Sequence, residues 1–387
     1  MYCFDKEINR CGTNCIKWDE EKDDIIPMWI ADMDFACLPE ILQSIELRAK
    51  HPILGYTFAD EQLYDSIIDW QKRHHDVDLT KDNIILNTGV VYALYLLISL
   101  FVKEDEKIIV QPPVYPPFFN TPAQLNREVV FSPLINKDND WLMDFVGFEK
   151  TLANDPKIKM YILCNPHNPT GKCYSKDDLK RIADICKKYD VLLVSDEIHS
   201  DLIMPCGKHT SIMNCIDDYP NVVMLASPTK TFNIAGLKIS YMVTKDKKIA
   251  EIFGKQAKAS GLSSVNIFAM EALKAAYTYG DQWLEQCIEY IYNNFIFLDN
   301  YLKENIPQIS FSIPDGTYLG WLDFSKLNIE GNLNLRLKNE AKVQLNDGFG
   351  FYQPCNNYQR INVACPLDTL KKGLDRIKNW LEENSYI

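Results

Sequence analysis

The sequence predicts an α/β fold: a mostly parallel central sheet covered by helices, with a smaller α+β domain attached. Three observations predict it. Between about residues 80 and 245, short apolar runs rich in Val, Ile and Leu alternate with helical patterns, the rhythm of strands joined by crossover helices. Several of these runs end in a polar or Pro/Gly cluster, and ligands of such sheets gather beyond the carboxyl ends of the strands. After residue 285 the rhythm breaks into a long helical stretch, a strand and a closing helix.

Taken in order, the predicted strands are "NIILNT", "KIIVQPP", "KMYILCNP", "VLLVSDE", "NVVMLAS" and "GLKISYMV". The first is followed by an apolar helix over 90–102, and the third by a helix over 176–188. In the latter, Leu179, Ile182, Ala183, Ile185 and Cys186 fall near one helical face, as in an amphipathic covering helix. Beyond 285, "EQCIEYIYNNFIFLDNYLKE" reads as a long helix, "GTYLGWLDF" as a strand and "GLDRIKNWLEE" as the closing helix. The expected division is a large domain over 45–285 and a small domain formed by 1–44 together with 286–387.

Composition bounds the function. The chain has 387 residues, 47% of them hydrophobic, enough for a sizeable core. A formal net charge of -12 argues against a nucleic-acid binder, because phosphate backbones are held by clustered Lys and Arg. No run approaches the eighteen or so apolar residues of a membrane span, and "MYCFDKEINR" does not read as a secretory signal, so a cytoplasmic protein is expected. The twelve cysteines are scattered; the near pair Cys11 and Cys15 has no second pair or His at ligand spacing, so reduced thiols are expected rather than a metal site.

Four polar clusters stand at predicted strand ends. "CNPHNPTGKCY" places two Asn-Pro steps and a Gly in one rigid turn. "VLLVSDEIHSD" delivers Asp196 and Glu197 from an apolar strand, with His199 close behind; buried acids there need a charged partner. "ASPTKTFNIAGLKIS" sets Lys230 three residues after Ser227 and eight before Lys238. A lysine in a dry, electropositive pocket loses its proton near neutrality and becomes a nucleophile toward an aldehyde, while hydroxyls and a second lysine suit a phosphate dianion. "YQRINVACP" opens an apolar strand with Arg360, a rigid fork for a carboxylate.

In this order and at these distances, "CNPHNPTG", "SDEIH", "SPTKTFNIAG" and "QRINVACP" resemble fold-type I pyridoxal-phosphate enzymes of the class I/II aminotransferase superfamily. More narrowly, "PMWIADMDF", "LGYT", "QPPVYPPFF", "SDEIHSDLIMP" and "DGTYLGWLDF" resemble its C–S β-lyase branch, the MalY/PatB and cystalysin-like cystathionine β-lyases. The resemblance runs from about residue 25 to 380.

What it implies is specific. Lys230 would bond covalently to pyridoxal 5'-phosphate, while Ser227, Lys238 and the backbone amides around Gly89, Val90 and Val91 would hold its phosphate. Tyr115 would stack on the ring, Asn168 would meet the phenolic oxygen, and Asp196 would pair with the ring nitrogen. Arg360 would fix the substrate carboxylate, with Asn168 and Tyr115 nearby. Tyr56 would reach the phosphate of a neighbouring subunit, which implies a homodimer with shared sites. His199 stands where many aminotransferases carry a tyrosine, and Lys238 where they often carry an arginine. The expected activity is cleavage of cystathionine, cysteine, cystine or another S-substituted cysteine to pyruvate, ammonia and a thiol; the alternative is an aminotransferase. A cofactor-sensing regulator of the same fold is disfavoured by the charge and by the early start of the fold.

Overall fold

A computed structural model describes residues 2–20, 24–216, 219–261 and 264–387. Its centre is a seven-stranded sheet. In chain order the strands are β1 (Ile84–Asn87), β2 (Lys107–Val110), β3 (Glu128–Phe131), β4 (Ile158–Cys164), β5 (Leu192–Asp196), β6 (Val222–Ala226) and β7 (Ser240–Val243). Their spatial order is β1-β7-β6-β5-β4-β2-β3. From β6 to β3 every pairing is parallel, and β7 runs antiparallel to both β6 and β1.

The apolar runs are continuous because both faces of this sheet are covered. Along β4, Met160, Ile162 and Cys164 enter one hydrophobic cluster while Tyr161 and Leu163 enter the other, the two-residue period of a strand packed on both sides. Among the helices are α1 (Pro39–Ala49), α2 (Glu61–His75), α3 (Val90–Phe101), α4 (Lys176–Tyr189), α5 (Ile267–Tyr279), α6 (Asp281–Asn305) and α7 (Leu367–Glu383). α4 starts at a capping box, with Ser175 accepting from the Asp178 amide and Asp178 accepting from the Ser175 amide.

A second, antiparallel sheet holds β8 (Leu319–Asp323), β9 (Asn346–Asp347) and β10 (Tyr358–Asn362), with β10 in the middle. The amino-terminal segment joins this region: Ile26–Pro27 pairs in parallel with Val343–Gln344, and Asn362 N donates to Met28 O.

Some elements depart from the sequence reading. "GLKISYMV" is a strand only from Ser240; Ala235–Leu237 form a 3-10 turn that ends at Lys238, whose φ is +51°. β3 was not expected, because as an edge strand it is half-exposed and carries no continuous apolar run. The long helix begins at Asp281 and the closing helix at Leu367, both earlier than their apolar stripes suggest. Among the described residues no helix is long and apolar enough to cross a membrane, and no cluster of His, Cys, Asp or Glu is placed to hold a metal ion. Cys164, Cys186 and Cys287 are among the thiols that pack in the core.

Candidate functional site

A cavity of about 590 Å³ opens beyond the carboxyl ends of β4 and β5 and against β10. Its volume suits a cofactor with a small substrate. The residues that the resemblance assigns to the cofactor and substrate line it, except Ser227 and Tyr56.

β5 supplies the acid. Asp196 is buried, and Ile198 N donates to its Oδ1 at 3.0 Å. Burial pushes its carboxyl up to about 7, with Glu197 adding to the shift and Lys230 opposing it. The neighbouring Glu197 does not face the cavity: it accepts from Ser195 Oγ at 3.0 Å and Ile212 N at 2.8 Å, with His209 Nε2 at 3.3 Å. His199 does line the cavity, and burial, reinforced by Lys230 and Arg360, pulls its imidazole down to about 3, so it is neutral.

β4 ends in the turn that presents Asn168. Gly171 closes that turn at φ +70°, donating its N–H to His167 O at 2.6 Å. A Cβ there would meet the Pro314 Cβ at 2.2 Å, so glycine is required both for conformation and for space. Asn168 Oδ1 accepts from Arg360 Nη1 at 2.8 Å.

β6 delivers the lysine. Ser227 caps the short turn Pro228–Thr231, accepting from Thr229 N at 3.1 Å and donating to Ile239 O at 2.6 Å. Its hydroxyl is thus spent behind the wall, on the turn that carries Lys230. Lys230 Nζ projects into the cavity and donates to Ala31 O. Burial, then the positive Arg360, lowers the ammonium to about 8, with Asp32 and Asp196 opposing the shift. Lys238 enters from the left-handed end of its 3-10 turn, a conformation uncommon for a side-chain-bearing residue.

Arg360 sits at the centre of β10. Its Nη2 donates to Trp29 O at 2.8 Å, and its guanidinium lies 5.0 Å from the centre of the Phe351 ring. Burial depresses it to about 10, with Tyr115 and Tyr318 opposing. Opposite, Gly89, Val90 and Val91 form the amino-terminal end of α3, and an added Cβ at Gly89 would meet no atom within 4 Å. The first N–H groups of a helix have no partner within it and favour an anion. Tyr115 lines the same space; burial, then Asp196, raises its hydroxyl's pKa.

Tyr56 lies elsewhere, fully exposed in the segment that also exposes Ile53, Leu54 and Phe58. The strap Trp29–Ala31 was not assigned a role from sequence, yet its carbonyls meet both Arg360 and Lys230, and Tyr318 Oη donates to Ala31 O at 3.0 Å. "PMWIADMDF" marked the stretch, but main-chain acceptors carry no side-chain signature. Tyr92 and Asn346, also lining the cavity, were likewise missed.

Residues 23–377 match the family model for aminotransferase class I and II. The chain belongs to the class I and II aminotransferase family. Within it, the cystathionine beta-lyase PatB of Bacillus subtilis strain 168 is 37% identical over 382 residues, 97% of this chain and 98% of that protein. The crystal structure of cystalysin from Treponema denticola, which contains a pyridoxal 5'-phosphate cofactor, superposes with a TM-score of 0.95 at 31% identity, covering 99% of this chain and 100% of that one. A PLP-bound protein of Clostridium difficile 630 classed as an aminotransferase gives a TM-score of 0.94 at 39% identity, covering 98% of this chain and 100% of that one.

Proposed function

We propose that this family member is a pyridoxal 5'-phosphate-dependent C–S β-lyase. It would cleave cystathionine or a related S-substituted cysteine, cysteine and cystine included, to a thiol, pyruvate and ammonia. One observation carries the reading: a single cavity joins an amine lowered to about 8 to a buried carboxylate and a buried guanidinium. The similarity to PatB and cystalysin selects the lyase branch.

The donor set fits the cofactor. Three cationic side chains, Lys230, Lys238 and Arg360, stand on the wall against one carboxylate, Asp196, a surplus that suits one phosphate and one substrate carboxylate. Lys238 and the first N–H groups of α3 would hold the phosphate, with Ser227 shaping that end through its turn. Tyr115 would cover the ring, Asn168 and His199 would stand near its phenolic oxygen, and Asp196 near its nitrogen. When bound, pyridoxal phosphate supplies an electron-accepting ring that stabilises negative charge at the substrate Cα.

The chain's own groups do the rest. Arg360 exchanges Asn168 Oδ1 and Trp29 O for the substrate α-carboxylate, which fixes the Cα–H bond relative to Lys230. Lys230 Nζ, with a pKa near the operating pH, accepts the proton from Cα. Asp196 would pair with a protonated ring nitrogen, whose positive charge would draw the carboxyl's own pKa back down.

An aminotransferase remains the second reading, favoured by the Clostridium difficile protein, because Lys230, Asp196 and Arg360 serve both reactions. The deciding assay mixes the loaded protein with L-cystathionine and no keto acid. Stoichiometric pyruvate, ammonia and thiol support the lyase; conversion of the cofactor to its amine form without pyruvate rejects it.

A homodimer with shared sites belongs to the same proposal. It is supported by the exposed Ile53, Leu54, Tyr56 and Phe58, apolar area that a second copy would cover, with Tyr56 reaching the phosphate end of the partner's cavity. The domain division at 45–285 against 1–44 plus 286–387 is likewise proposed, supported by the pairing of Ile26–Pro27 with Val343–Gln344. A cytoplasmic setting is proposed from the free thiols.

A further inference from the structure

Lys230 and Asp196 act on one ligand from two different segments, so their separation must be fixed. We propose that Thr231 and Asp201 form a pin behind the cavity that sets Lys230 relative to Asp196; the inference rests on the cofactor reading above. Thr231 directly follows Lys230 and is fully buried. Asp201 lies five residues beyond Asp196, on the segment that leaves β5. Thr231 Oγ1 donates to Asp201 Oδ2 at 2.7 Å, tying the two segments together at their backs.

The acceptor is itself held. Trp70 Nε1 donates to Asp201 Oδ1 at 3.0 Å, and His75 Nε2 lies 2.7 Å from the same oxygen. Both come from α2, and the His75–Asp201 pair is almost entirely buried. Burial alone would raise the Asp201 pKa, but the bonds from His75, Thr231 and Trp70 keep it below the ordinary value. The His75 ring in turn meets His209 edge-on at 5.4 Å, and His209 pairs with Glu197. This is an expensive arrangement to bury, since losing one partner strands a charge. Neither Thr231, Asp201, His75 nor Trp70 lines the cavity, so they are positioning residues that no substrate touches. Misplacement of a reacting group by about 1 Å costs on the order of 100-fold in rate.

The test uses the full chain with Thr231→Val, which removes the hydroxyl and keeps the side chain's shape. Three quantities are measured: Tm, the rate at which cofactor-free protein forms its visible-absorbing bond with added pyridoxal phosphate, and kcat and KM for L-cystathionine. The pin predicts a fall in kcat of about 10- to 100-fold with KM changed less than about threefold. Bond formation slows in parallel, and Thr231→Ser restores both. Should valine crowd the turn and unfold the protein, Thr231→Ala with the same readouts decides. Wild-type bond formation and kcat in a hydroxyl-free variant, even with a lower Tm, overturn the pin. Lys230→Ala separates the two failures. If that variant still forms the bond, the assignment of Lys230 falls and the pin with it; if it does not, while Thr231→Val matches the wild type, only the pin falls.

Discussion

Two clusters of charge lie on either side of the strap Trp29–Ala31, and they are built on opposite principles. On the amino-terminal side, Arg10 and Lys17 meet Asp32 and Asp34: Arg10 Nη2 is 2.7 Å from Asp32 Oδ2, Arg10 Nη1 is 2.7 Å from Asp34 Oδ1, and Lys17 Nζ is 2.8 Å from Asp34 Oδ2. Trp18 Nε1 adds a further donor to Asp34 at 2.9 Å. Charge is balanced, two cations against two carboxylates, so the cluster ties the amino-terminal segment to the residues that follow the strap. On the cavity side, three cations face one carboxylate, and two of the cations rest on main-chain carbonyls. A carbonyl is a weak substitute for an anion, so these groups keep their capacity to bind one. Completed pairing makes structure, and incomplete pairing makes a site.

Breaking the unbalanced cluster gives the largest effect. On the proposed reading Lys230→Ala removes both the group that bonds the cofactor and the base, so kcat for L-cystathionine is expected to fall by at least about 10,000-fold with the thermal unfolding of the cofactor-free protein preserved. Turnover near the wild-type rate would refute the assignment. Breaking the balanced cluster does the reverse. Lys17→Met strands part of the charge on Asp34 and costs about 3 kcal/mol by urea unfolding, while kcat of the folded fraction changes by less than about threefold. A loss of turnover without a loss of stability would erase the distinction between the clusters.

The cavity carboxylate also leaves a signature in pH. Burial holds Asp196 at about 7 in the cofactor-free protein, against an ordinary value near 4. Between those values the folded chain binds a proton that the unfolded chain lacks, so stability falls as pH rises through this window. Asp196→Asn abolishes that part of the fall, which urea titrations at successive pH values read directly. The smallest effect sharpens the comparison at the proposed phosphate end: Lys238→Arg replaces a point charge by a fork and is expected to tighten cofactor retention by about fivefold. An unchanged or weaker dissociation constant would reject it.

The parts of this fold that were legible in the sequence are those in which side-chain chemistry and local period agree. The apolar runs of β4, β5 and β6 are continuous because both faces are buried, and their polar ends mark the cavity mouth. Arg360 could be singled out because an arginine at the head of an apolar run offers a rigid fork to a carboxylate. What escaped depends on the backbone or on distant partners. The strap acts through carbonyls that any residue possesses. Lys238 was read into a strand because Leu237 and Ile239 on either side of it look like strand alternation, although Asn233, at φ +57°, and Gly236 mark a turn just before it. Ser227 has the hydroxyl expected of it, but only the approach of Ile239 decides that the proton points away from the cavity.

Asp196 and Glu197 are adjacent acids, yet one faces the cavity and the other is enclosed by Ser195, Ile212 and His209, because successive residues of a strand point to opposite sides. Inserting or deleting one residue in β5 would exchange their places. The longer glutamate would then enter the cavity, and the shorter aspartate would fall short of His209. A change among Val, Ile and Leu in the strand disturbs packing alone, whereas a change in its number of residues exchanges the two acids.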